Sequence, residues 1–212
     1  MGEIGTAAAS LQLLGGRPGL DFVNTVDWRI SDHPREFITG YPDLVAWSRH
    51  ASLLTGNQAQ RLLKEAARRP EDARAALQRA ITLREAIYRI FAALSRGRAP
   101  EGADLDRFNA ELSDLQARSR IAPKAEGFVW CWAGAEDALD RMLWPVVHDV
   151  ASLLTSEELH RLGQCAGDGC GWLFLDMSRN HSRRWCAMED CGNRAKARRH
   201  YRRSRAQRQH AG

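Results

Sequence analysis

Four cysteines near the C-terminal end, Cys165, Cys170, Cys186 and Cys191, are spaced C-x4-C-x15-C-x4-C. Two thiol pairs joined by a short arm can supply the four thiolates of a tetrahedral zinc site. Four sulfurs fill the coordination sphere and leave no position for water, so one such zinc is structural rather than catalytic. Two alternatives stay open: His160, His181 or His200 replacing one cysteine, and a redox use of the thiols. For the second, C-x4-C is a poor match to the C-x-x-C dithiol pattern. The fifth cysteine, Cys131, stands apart in Phe128-Val129-Trp130-Cys131-Trp132 and reads as a buried core thiol. No nucleophile-and-base pattern appears elsewhere, so no catalytic residues are assigned and no enzyme is expected.

Cys191 opens the string Cys191-Gly192-Asn193-Arg194, and residues 194–205 carry seven positive charges in twelve positions. As a helix this segment presents cations nearly all round. It repels itself and is best stabilised against phosphates. The candidate nucleic-acid contacts are Arg183, Arg184, Arg194, Lys196, Arg198, Arg199, Arg202 and Arg203. Arginine dominates, and its planar fork suits phosphate oxygens or guanine edges. Phosphate contacts carry no sequence information, so Asn193 or one of the arginines must read bases if recognition is specific. The bland alternative is a solvated basic tail kept for solubility.

Charge is unevenly distributed over the 212 residues. From Arg161 onward there are 12 Arg/Lys against 4 Asp/Glu, whereas the preceding residues hold 19 against 22, for a net of +5 overall. That asymmetry suggests two jobs and a boundary near Arg161, with domains at 1–160 and 161–212. Residues 1–10 carry Glu3 and no basic residue, unlike a secretory signal, and no apolar run approaches the ~20 residues of a membrane span. A cytoplasmic, nucleoid-associated protein is expected. In that reducing compartment paired cysteines hold metal more often than they form disulfides.

The elements that must position these groups are mostly helical. Gly15-Gly16-Arg17-Pro18-Gly19 is a turn, and a helix over 20–28 would place Asp21, Asn24, Thr25 and Trp28 on one face. A loop follows from Ile30 to Gly40. Helices are predicted from Tyr41 to Leu54, from Asn57 to Ala67, from Glu71 to Leu94 and from Leu105 to Leu115. The third carries an apolar stripe of Leu77, Ala80, Ile81, Ile87, Tyr88, Phe91 and Leu94. Residues 117–132 suggest a hairpin turning at Gly127. A long helix over 135–154 with Pro145 as a kink, then a Thr155/Glu158 capping box opening a short helix, complete the first domain. Beyond it the order is cysteine loop, strand Trp172–Leu175, return strand Arg183–Cys186, cysteine loop and basic helix. That is a treble-clef-like zinc finger, too small to build a core without metal.

Arg84 interrupts the stripe of the Glu71–Leu94 helix. A buried guanidinium needs an anionic partner, and Asp21 or Asp27 would serve structurally. The alternative is a bound anion, which would make Asp21, Asn24, Thr25 and Arg84 a pocket for a small-molecule effector.

The segments Cys165-x4-Cys170-Gly171-Trp172-Leu173-Phe174-Leu175-Asp176, Ser178-Arg179-Asn180, Arg183-Arg184-Trp185-Cys186 and Cys191-Gly192-Asn193-Arg194-Ala195-Lys196 resemble the CGNR zinc finger family. Leu20-Asp21-Phe22-Val23-Asn24-Thr25 is similar to the opening of the ABATE domain. The resemblance covers almost the whole chain and implies a bacterial, stress-induced transcription regulator: a mostly helical N-terminal domain and a zinc-dependent DNA-binding C-terminus. The expected partners are DNA and an effector, and a homodimer would suit a reader of paired half-sites. An RNA-binding or ribosome-associated module, with Trp172, Trp185 and Tyr201 stacking on bases, is the second reading. An enzyme domain tethered to nucleic acid is the third.

Overall fold

A computed structural model describes residues 7–134 and 136–210, with side chains described as far as Arg205. The first six residues, Ala135 (the predicted start of a helix) and the last two residues lie outside it. The described residues are mainly α, with three small antiparallel strand pairs among them.

Helix α1 (Pro18–Val23) is short and buried from Gly19 to Val23. Pro18 suits its first turn. Its second amide is capped from a distance: Gly19 N donates to Asp149 Oδ2 at 2.8 Å, and Arg17 Nε holds the other oxygen of Asp149 at 2.8 Å. Strand β1 (Val26–Asp27) replaces the end of the helix expected over 20–28 and pairs with β2 (Arg35–Glu36), which lies inside the predicted loop. Helices α2 (Tyr41–His50) and α3 (Gly56–Arg68) follow. A Thr55/Gln58 capping box opens α3, with Thr55 N to Gln58 Oε1 at 2.8 Å and Gln58 N to Thr55 Oγ1 at 3.3 Å.

The long helix α4 (Pro70–Leu94) runs beside α1, α2 and α5 (Gly102–Arg118). Its buried face is broader than the predicted stripe. Ala73, Ala76, Leu83 and Ile90 are buried along with Ala80, Ile87, Tyr88 and Phe91, whereas Leu77, Ile81 and Leu94 lie at the margin. The alanines permit close helix approach, a signal that a scan for large apolar residues overlooks.

Strands β3 (Ser119–Lys124) and β4 (Gly127–Trp132) form the expected hairpin, with Gly127 at φ +93°. It stands out from the domain, with Phe128 77% exposed, and Cys131 is half-buried rather than a core thiol. Helix α6 begins only at Leu143 and ends at Leu154. Pro145 therefore sits in its first turn, where a missing N–H costs nothing, and makes no kink. The Thr155/Glu158 capping box is absent: Thr155 Oγ1 instead donates back to Ala151 O at 2.9 Å, and a 3-10 turn covers Glu157–Arg161.

Strand β5 (Leu162–Gln164) pairs with β6 (Leu173–Leu175) in the register Leu162↔Leu175, Gly163↔Phe174, Gln164↔Leu173. The basic helix α7 (Asn193–His210) ends the described chain. The cysteines and residues 172–175 belong to the same buried cluster as α1 and α4, so the finger shares the core of the helical domain. No helix among the described residues is long and apolar enough to cross a membrane.

Candidate metal centre and nucleic-acid surface

The turn between β5 and β6 is a knuckle that carries Cys165 and Cys170. It closes with Cys165 N donating to Trp172 O at 2.8 Å. The expected return strand at Arg183–Cys186 does not form, because β6 takes its partner from the other side. Residues 183–186 instead run as irregular chain along the knuckle. Ala166 N donates to Arg184 O at 2.8 Å and Cys186 N to Cys165 Sγ at 3.2 Å. The loop before them is closed by Asp176, which accepts Ser178 N at 2.8 Å and Arg183 N at 2.7 Å. A single π-helical turn over Met188–Gly192, closed by Gly192 N donating to Ala187 O at 3.1 Å, then delivers Cys191 to the start of α7.

All four sulfurs are buried and lie within 4.8 Å of one another. The Cys170–Cys186 and Cys186–Cys191 separations are 3.7 and 3.6 Å. A tetrahedron with Zn–S bonds of about 2.3 Å has edges of ~3.8 Å. The donor set therefore suits one zinc ion, held by four thiolates. The knuckle must also be thin. A Cβ at Gly167 would lie 2.6 Å from Cys191 Sγ, and Gly169 and Gly171 both sit at φ +74°.

Four thiolates around one zinc leave a net charge of −2, which the surroundings partly offset. Cys165 Sγ accepts from Gly167 N at 3.4 Å and Cys186 N at 3.2 Å; Cys191 Sγ accepts from Arg194 Nη2 at 2.9 Å. Before metal binds, hydrogen bonds from Cys170 and Cys186 hold the Cys165 thiol well below the ordinary range. Hydrogen bonds shared with Cys165, and then burial, push Cys170 and Cys186 up, and burial first of all pushes up Cys191. Zinc takes thiols as thiolates, so protons leave the cluster when the metal enters.

The metal centre is joined to the helical domain by backbone. Asn24, the residue that ends α1, pairs with both polar groups of Leu173: Nδ2 to Leu173 O at 2.8 Å, and Leu173 N to Oδ1 at 2.9 Å. Trp172 Nε1 donates to Val26 O at 2.9 Å. Arg29 N and Ile30 N donate to Cys170 O and Gly169 O at 3.0 and 3.1 Å. The indole of Trp28 lies against Gly169 on one side and under the Arg194 guanidinium, 4.5 Å from its centroid, on another. Asn24, Trp172 and Leu173 stand in the segments that carry the family resemblance, but nothing local in the sequence pairs them across the chain.

The arginines divide into two groups. Arg183 is a structural residue, contrary to its expected role at a phosphate. Its guanidinium donates to Trp185 O, Leu175 O, Leu14 O and Cys186 O at 2.7–3.2 Å and stacks 4.1 Å over Phe174. A planar fork with several donors can gather carbonyls from separate segments, and here that use consumes it. Arg194 is likewise engaged by Cys191, Asp190 and Trp28. In contrast, Arg184, Lys196, Arg199, Arg202 and Arg203 are exposed and meet no carboxylate of a described residue. Arg198 is paired with exposed Asp168, and Asn193 is exposed with Nδ2 on Glu189 O at 3.1 Å. Between residues 166–168 and α7 runs a groove of ≈ 390 Å³ bordered by Arg198, Arg199, Arg202 and Arg203.

The polar cluster around Arg84 takes a different form from the one expected. Helix α1 stops at Val23, so Asp21, Asn24 and Thr25 do not share one helical face. Arg84, 2% exposed, is held by neither Asp21 nor Asp27. Its Nη atoms meet both oxygens of Glu36 at 2.7 and 2.6 Å, with Thr25 Oγ1 at 3.0 Å and Glu85 Oε1 at 3.0 Å completing the shell. The carboxylate comes from β2, within a stretch that reads as loop, so no periodicity marks it. Asp21 accepts Gly15 N at 2.7 Å, and burial pushes its carboxyl up to about 6.

Two family models match the chain. One, ABATE, described as "Putative stress-induced transcription regulator", covers residues 16–157, and the other, described as CGNR zinc finger, covers residues 161–204. The junction between them falls at the 3-10 turn that precedes β5. No curated protein matches the sequence. With a helical N-terminal unit, a knuckle and helix start that converge on four sulfurs, and a model match over most of its length, the chain belongs to the ABATE family and carries a C-terminal CGNR zinc finger.

Proposed function

We propose that this protein is a zinc-dependent, DNA-binding transcription regulator whose α7 enters the major groove. The observation that carries the reading is the projection of α7 from a metal-held base. From Asn193 to Arg205 only Ala195 and Ser204 are even half-buried. Eighteen residues give a helix ~27 Å long, and a groove ~12 Å wide admits it. The exposed cations and the groove beside the knuckle supply phosphate contacts along both flanks. The remaining groups for base edges are Asn193 and one or more of the arginines.

The zinc site and the seam to the helical domain support a regulatory reading. A perturbation of the ABATE domain that moves Trp28 or Asn24 moves the knuckle, and the knuckle sets the direction of α7. An effector-responsive regulator needs such a connection.

One observation favours single-stranded RNA as a second reading: Tyr201 is 63% exposed and lies with Arg198 and Arg202 along a shallow groove. An aromatic between cations is a stacking platform for unpaired bases. Competition settles the choice. Fluorescent duplex DNA bound to zinc-loaded protein is challenged with unlabelled duplex DNA and with single-stranded RNA of equal length. Displacement by DNA at lower concentration supports the proposal, and displacement by RNA at much lower concentration refutes it.

A further inference from the structure

A second concavity, also ≈ 390 Å³, opens on the helical domain between the C-terminal half of α4, the connection to α5 with its first turn, and Ile30 of the β1–β2 loop. Ile30, Tyr88, Ala92 and Ala99 give it apolar walls, and Arg96 and Arg98 stand at its rim. Volumes of this order accommodate small metabolites.

The charge of the cleft is positive once its internal pairing is counted. Arg89 Nε meets both oxygens of Asp104 at 3.0 and 2.9 Å, and Asp104 is 6% exposed, so that pair is committed. Arg96 and Arg98 then face Glu101 alone. Arg96 Nε and Nη2 converge on a single neutral acceptor, Gln164 Oε1, at 3.0 and 2.8 Å. A guanidinium fork binds an anionic two-oxygen group more strongly than one amide oxygen. The side chain of Arg98 engages no described residue.

The same amide links the cleft to the metal centre. Gln164 Nε2 donates to Tyr88 Oη at 3.0 Å and to Gly171 O at 3.2 Å. Gln164 precedes Cys165, and Gly171 follows Cys170. Ile30, which lines the cleft, also donates its N–H to Gly169 O. Three cleft residues thus hold the two ends of the knuckle.

We propose that this cleft is the effector site, and that it takes a small organic anion: a carboxylate or phosphate group on Arg96 and Arg98, with an apolar or aromatic body against Tyr88, Ile30, Ala92 and Ala99. Binding draws Arg96 away from Gln164 and releases the Gln164 side chain beside Cys165. That loosening is what the DNA-binding element registers. The assignment of a regulatory consequence rests on the function proposed above; the assignment of the site does not.

The test is an amide NMR titration of zinc-loaded full-length protein, without DNA, using benzoate, phenyl phosphate and, as charge-reversed control, benzylamine. The expected result is a saturable shift of the Tyr88, Ala92, Ala99 and Gln164–Cys165 amides with at least one anion, and none with benzylamine. Which anion binds more tightly identifies the head group. The doubly substituted Arg96→Gln/Arg98→Gln protein, altered only at exposed positions, keeps its fold and binds at least about tenfold more weakly, a change of ~1.4 kcal/mol. The proposal is overturned if neither anion saturates these amides at ~10 mM, if the shifts are confined to α7, or if the doubly substituted protein binds as well as the parent. A protein that binds the anion here but no DNA would refute the regulator reading and leave the site standing.

Discussion

Asn24 and Leu173, separated by 149 positions in the chain, form a closed pair in which one side-chain amide satisfies both backbone groups of a strand residue, at 2.8 and 2.9 Å. Asn24 thereby acts as a one-residue extension of the β5–β6 sheet, contributed by the ABATE domain. The zinc finger is therefore docked as well as tethered.

Removing that amide leaves a buried N–H and a buried C=O without partners, at roughly 1–3 kcal/mol each. Asn24→Ala is expected to lower stability by about 3 kcal/mol or more and to split the thermal unfolding of the two units. Calorimetry checks this: the parent gives one cooperative transition and the variant two. A single transition at unchanged temperature would mean that the pair contributes nothing.

Gly167→Ala is expected to impair zinc binding, because the new methyl group would stand 2.6 Å from Cys191 Sγ. Gly56→Ala serves as control, since a Cβ there meets nothing within 4 Å. Metal content after purification and a competition assay with a chromophoric chelator measure the effect. The prediction is a loss of affinity of at least about tenfold for the first variant and none for the second.

Asp21 makes stability depend on pH. Its folded-state value, about 6, lies above the ordinary 3.8 because burial disfavours the charged form. Its contribution is therefore fully present below 3.8 and is lost as pH rises through about 6. Asp21→Asn keeps an acceptor for Gly15 N and removes the charge. The variant should be more stable than the parent by roughly 2–3 kcal/mol at pH 7.5 and nearly equal to it at pH 4. Chemical denaturation at the two pH values reads the difference, and a variant less stable at both would count against the assignment.

The two classes of arginine should separate cleanly by experiment. Arg199→Ala and Arg203→Ala leave the melting temperature unchanged, weaken DNA binding at all sequences, and each reduce the salt slope of log K by about 1. Arg183→Ala instead lowers the melting temperature, by several degrees for a loss of ~2 kcal/mol, since it abandons four carbonyls and the face of Phe174. Parallel melting and anisotropy titrations distinguish the outcomes.

What the sequence made legible follows from local physics. The cysteine spacing, the helix periodicities, the β3–β4 hairpin and the cationic run all depend on neighbours within a few positions. What it hid depends on distant partners. Arg84 announced a buried charge, but its partner Glu36 lies in a stretch with no periodic signal. Asn24 was visible as a polar residue in an apolar setting, and its role required knowing that β6 comes to lie beside α1. Arg183 looked like its neighbours because composition cannot separate a guanidinium that gathers carbonyls from one that waits for phosphate. The pairing of β6 with β5 rather than with residues 183–186 was hidden by the brevity of Leu162–Gln164, three residues with a glycine in the middle.

The central claim is that zinc-held α7 reads duplex DNA. Selection from a random duplex library with zinc-loaded protein, at roughly 150 mM salt where exposed charges are screened beyond ~8 Å, tests it most directly. Cys191→Ser, which removes one zinc ligand, runs in parallel. The account predicts an enriched motif for the parent and none for the variant, which loses zinc and the orientation of α7. Enrichment of nothing, with binding that disappears as salt rises, or equal enrichment by Cys191→Ser, would contradict it.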